Sequence, residues 1–137
     1  MRKKLLDTSF LMCYYYPSLR LLEAEWKPET RRMKDADYKK TMLGFVENVT
    51  ATKPRFILVK ATDFVYVIDP EVQQWVNNEV ISVLIDTGAE KMAFTLNPDL
   101  ITQLSIEQTM DSPSAKTYLQ THYFVDEKKA RKWLMEV

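Results

Sequence analysis

With 137 residues, 46% of them hydrophobic and 28% charged, the chain is long enough to bury a core as one domain and too apolar to remain disordered. Nineteen lysines and arginines balance nineteen aspartates and glutamates, so no summed field gathers phosphate backbones or anionic lipid, and no nucleic-acid partner is expected. A single cysteine, Cys13, excludes an intramolecular disulfide and suits a reducing, cytoplasmic setting.

Arg2, Lys3 and Lys4, followed by Leu5 and Leu6, imitate the start of a secretory signal. Asp7 interrupts the apolar stretch, however, and no small-residue cleavage pattern follows. No apolar run reaches the roughly 18 to 20 residues of a transmembrane helix, so neither secretion nor a membrane span is expected. Residues 8–16 are rich in apolar and aromatic side chains, and after Pro17 the stretch 19–26 sets Leu22, Ala24 and Trp26 against Glu23 and Glu25. This pattern predicts an antiparallel hairpin with one wet face. Tyr38, Met42, Phe45, Val46 and Val49 recur at the spacing of a helix face that ends before Pro54. Residues 56–59 are continuously apolar, the pattern of a parallel strand covered on both faces.

Asp69 as N-cap and Pro70 at the first helical position open a helix that buries Val72, Trp75, Val76, Val80, Val83 and Leu84 until Gly88 stops it. A short strand over 91–96 leads to Asn97 and Pro98, which repeat the cap-and-proline start for a helix burying Leu100, Ile101 and Leu104. Residues 118–125 read as the last strand, and Asp126 caps a helix with Ala130, Trp133, Leu134 and Val137 on one face. The order ββαβαβαβα predicts an α/β fold spanning 1–137 as a single domain. Its sheet should be mixed and mostly parallel, with an N-terminal antiparallel hairpin.

The residues offer little chemistry. One histidine, His122, and one distant cysteine build neither a typical zinc site nor a triad with a histidine base. Gly44 and Gly88 are the only glycines, too few for a phosphate loop. The pairs Glu23 with Glu25 and Asp35 with Asp37 are what surface strands and helix N-termini ordinarily carry. No catalytic, cofactor-binding or metal-ligating residue is therefore assigned, and no cofactor is expected. One segment stands apart: Phe64, Val65, Tyr66, Val67 and Ile68 place five apolar residues where a polar connection belongs. They read either as a strand or loop folded onto the core, or as an apolar contact surface. The segment follows the carboxyl end of a strand, the side of open α/β sheets where ligands collect, and Asn97 should open on that side too.

The strand 56–59, the stretch 68–75, the segment Leu104, Ser105, Ile106, Glu107, Gln108, Thr109, and the ending with Asp126, Glu127, Ala130, Trp133 and Leu134 together resemble the SpoIIAA-like family. These are small bacterial proteins distantly similar to STAS domains and to CRAL-TRIO lipid-transfer domains. The resemblance spans nearly the whole chain and implies a STAS-like fold. Phosphorylation-switched STAS regulators carry a serine in an Asp-Ser-Ser-Gly type motif where a central strand meets a helix. Here that place reads Lys60, Ala61, Thr62, Asp63, Phe64, leaving Thr62 as the one nearby hydroxyl and no glycine. Phosphoregulation of that kind is therefore not implied.

Two functions are expected in consequence. The first is a non-enzymatic cytoplasmic regulator that meets a protein partner, or a second copy as a homodimer, through Phe64 to Ile68. The second is a small apolar-ligand or lipid-binding protein with Tyr66, Met92, Phe94 and Met110 around the ligand. A cavity of about 300 Å³ or more lined by those residues favours the second, and a filled interior with an exposed apolar patch favours the first.

Overall fold

Ahead of Lys27 the chain builds three strands, one more than the hairpin the sequence predicts. They are β1 (Lys3–Asp7), β2 (Leu11–Tyr16) and β3 (Leu21–Trp26), joined as an antiparallel meander. The structure, a computed structural model, describes residues 1–97 and 100–136, with 100–103 given by their backbone alone. β1 escapes the sequence pattern because a bulge between Lys4 and Leu6 breaks its alternation.

From β3 onward the pairing turns parallel, to β4 (Phe56–Ala61), β5 (Lys91–Leu96) and β6 (Gln120–Phe124). The six strands lie in the order β1-β2-β3-β4-β5-β6. The chain is thus α/β, with one mixed sheet whose antiparallel strands come first. Ile57, Leu58 and Val59 are all buried, as the continuous apolar run predicts for a strand covered on both faces.

Helices clothe the two faces unequally. α1 (Asp35–Thr52) covers one face beside α2 (Pro70–Val76), which continues through a π turn (Asn77–Ile81) into α3 (Ser82–Asp86). α4 (Leu100–Thr109) and α5 (Pro113–Tyr118) contribute Ile106 and Ala115 to the same core. On the opposite face α6 (Glu127–Met135) lays Ala130 and Leu134 on Leu21, Leu58 and Ala93. Asp69 caps α2 by accepting the Val72 N–H at 3.0 Å. Asp126 caps α6 from the Lys128 N–H at 2.9 Å, and Gly88 takes a φ of 95° beyond α3.

Several expectations need correction. The π turn inserts an extra residue, so Ile81 joins Val80 in the core and Val83 is only half-buried, and Trp75, ahead of the turn, is half-buried as well. Leu104 points outward and is 48% exposed, and Trp133 is half-buried. Tyr118 ends the unforeseen α5, where Ser112 and Pro113 make a cap-and-proline start, so β6 begins only at Gln120. Pro98 and Val137, with the side chains of Leu100 and Ile101, lie outside the described residues. No described helix is long and apolar enough to cross a membrane.

Candidate functional site at the carboxyl end of the sheet

Where β4 ends, the chain crosses to α2 without joining the sheet, and its side chains alternate inward and outward. Phe64, Tyr66 and Ile68 are buried, at 2%, 8% and 4% exposure, whereas Val65 and Val67 stand 40% and 48% exposed. The inward set is fixed by aromatic packing. Phe64 lies 4.7 Å from the Trp26 ring, and Tyr66 stacks on Tyr38 at 4.8 Å between centroids. Burial first, and the neighbouring Asp35 carboxylate second, push the Tyr66 phenol upward, and it donates a hydrogen bond to that carboxylate.

A segment outside a ladder must satisfy its backbone elsewhere. The fully buried Thr30 hydroxyl donates to the Asp63 carbonyl at 3.2 Å and accepts the Val65 N–H at 3.1 Å. Ser105 on α4 accepts the Ile68 N–H at 3.3 Å. Asn97, at the end of β5, donates to the Thr62 carbonyl at 3.0 Å, and the Thr62 and Thr95 hydroxyls lie 3.4 Å apart. Asn97 therefore fixes the turn that leads into the segment, while Val65 and Val67 form the segment's outward face. The structure brings Phe64, Tyr66 and Ile68 together with the core and leaves the two valines to solvent.

Beneath this segment an apolar cavity of about 60 Å³ lies between the sheet and α1, α2 and α4. Met92, Phe94 and Met110 do line it, but Tyr66 does not. Its size is far below the roughly 300 Å³ at which drug-sized pockets begin. A second concavity, an open cleft of about 630 Å³, follows β6 between α4 and α5.

The remaining reactive residues are held apart. Cys13 is completely buried in β2, and burial pushes its thiol up to about 12. His122 is exposed on the α6 side, stacked 4.5 Å from Trp133. No group of His, Cys, Asp and Glu side chains among the described residues has the geometry of a metal site.

One cluster was hidden from sequence reasoning, which places Glu23 on a wet face. Glu23 is 1% exposed beneath α6, where its carboxylate meets Arg131 at 2.5 Å and Lys60 at 3.0 Å. Glu127 joins the network, 3.4 Å from Lys60 and 2.9 Å from Arg131, and Glu25 lies 3.9 Å from Lys60. Burial alone would raise the Glu23 carboxyl, but hydrogen bonds from Arg131 and Lys60 win and hold it below its ordinary value. The only sequence signal was a lysine in an otherwise apolar central strand. The Glu23–Arg131 and Glu127–Lys60 pairs tie α6 to the sheet, so the network joins elements. No family model, curated protein or solved structure matches the chain.

Proposed function

We propose that the chain is a non-enzymatic protein-interaction module of the SpoIIAA-like and STAS kind that its sequence resembles, and that Val65 and Val67 centre its contact surface. The observation that carries this reading is the outward valine pair anchored by buried neighbours. Because Thr30 and Ser105 already hold the backbone, the pair meets a partner with little left to order. The assigned partner is a second copy of the chain, which zero net charge allows to approach without mutual repulsion. Thr62, Asp63 and Pro70, all exposed, supply a polar and irregular rim.

Sedimentation equilibrium tests this directly. The parent should dimerise with concentration, and Val65→Glu and Val67→Glu should each weaken the dimer by about tenfold or more, because a charge would be desolvated in the contact. Both positions are exposed, so folding should stay within about 0.5 kcal/mol of the parent. Identical sedimentation of parent and variants would remove the reading.

A second reading, a small apolar-ligand protein resembling CRAL-TRIO domains, rests on the cavity lined by Met92, Phe94 and Met110. The lining chemistry supports it and the volume opposes it, since a lipid chain would require α2 or α4 to move outward.

A further inference from the structure

The two edges of the sheet are defended unequally. β1 carries Lys3 and Lys4 and a bulge, devices that keep a foreign strand from pairing with an edge. β6 reads Gln-Thr-His-Tyr-Phe, with no charged residue, no proline and no irregularity in its register with β5. Gln120 donates its N–H inward to the Glu90 carbonyl at 2.9 Å. Backbone alternation along a strand then turns the N–H and C=O groups of Thr121 and Tyr123 to the open side.

The cleft of about 630 Å³ is lined by consecutive residues from Gln120 to Tyr123, so it runs along this edge. Its far wall is α4 and α5, and its remaining charged lining is Glu107, Asp111 and a single lysine, Lys116. Lys116 binds Asp111 at 2.7 Å in an exposed pair that a competing cation can displace at little cost. The Tyr123 phenol on the floor, stacked 5.5 Å from Phe94, is pushed upward by burial and then by Glu107 and Asp111, which marks a negative field there. The Thr121 hydroxyl makes no hydrogen bond among the described residues.

We propose that the β6 edge accepts an extended segment of a partner protein as an added strand, with a basic side chain of that segment seated beside Glu107 and Asp111. Main-chain hydrogen bonds to Thr121 and Tyr123 supply affinity, and the cleft selects alternate side chains. A second copy of this chain fits less well. Pairing β6 with β6 would set the Glu107 and Asp111 carboxylates of both copies on one face of the joined sheet, where like charges repel. This surface is separate from Val65 and Val67, so either assignment can fail alone.

The probe is a phage-displayed random heptapeptide library selected on the full chain. Selected peptides should carry lysine or arginine among β-branched residues. N-methylation at alternate peptide positions should weaken binding by about tenfold, and methylation at the intervening positions should not. Thr121→Pro removes an outward N–H without touching the ladder to β5, and should cost the peptide a similar factor while circular dichroism stays unchanged. Glu107→Gln with Asp111→Asn should erase the basic preference, and Val67→Glu should bind peptide like the parent. Peptides that bind Thr121→Pro undiminished, a library that enriches none, or a parent dimer that Thr121→Pro splits would each overturn the proposal.

Discussion

Cys13 and the tyrosines around the core carry a pH signature that the fold imposes residue by residue. Burial lifts the Cys13 thiol from 9.0 to about 12, and it raises Tyr38, Tyr66 and Tyr123 in the same direction. A group whose folded value is raised binds its proton more tightly in the native state. Its contribution is therefore whole below the unfolded value and is lost as pH rises toward the folded one. The unfolding free energy should hold steady to about pH 9 and then decline, a course that urea titrations at stepped pH would follow. At pH 8 a thiol reagent should label Cys13 only when denaturant is added; labelling of the native chain at the rate of a free thiol would contradict its burial. At this scale the five-residue segment was half legible. Its alternation is visible in the letters, but which set faces inward depends on Trp26 and Tyr38, whose positions no local pattern reveals.

Val80 links the helix to the sheet. It is 2% exposed, belongs to the π turn and lines the small cavity, so Val80→Ala would enlarge an existing void. The expected cost is about 1 to 3 kcal/mol in urea melts, and a neutral result would contradict the assigned face. Elements bounded by strong local chemistry were readable in advance. Asp69 with Pro70 opens α2, the positive-φ glycine Gly88 follows α3, and the apolar run from Phe56 marks the central strand. Elements defined by geometry were not readable. The π turn over Asn77–Ile81 has no residue type that announces it, and Asn77 steadies it through hydrogen bonds to the Gln73 and Thr109 carbonyls, both 3.0 Å. β1 offers only Leu5 and Leu6 as apolar residues beside its bulge.

Across the whole molecule, α6 closes the second face of the sheet through a small apolar cluster and the Glu23 network. Glu23 and Arg131 are 108 residues apart in the chain, a pairing that only the finished fold can bring about. Because the Glu23 carboxyl is held below its ordinary 4.5, its contribution is present above that pH and is lost as pH falls further. Glu23→Gln should therefore flatten the acid limb of the stability profile. At neutral pH it should cost about 1 to 3 kcal/mol, less than a fully buried pair because Lys60 and Arg131 are partly hydrated. Unchanged acid unfolding would separate the network from stability. The same fold that seals this face turns Val65 and Val67 outward at the end of the sheet, and the proposed function rests on that pair. Native mass spectrometry of the purified chain tests it most directly. The proposal predicts a dimer of two bare chains that grows with concentration and falls to monomer in Val67→Glu, whereas a monomer at every concentration, or a chain carrying a retained apolar molecule, would contradict it.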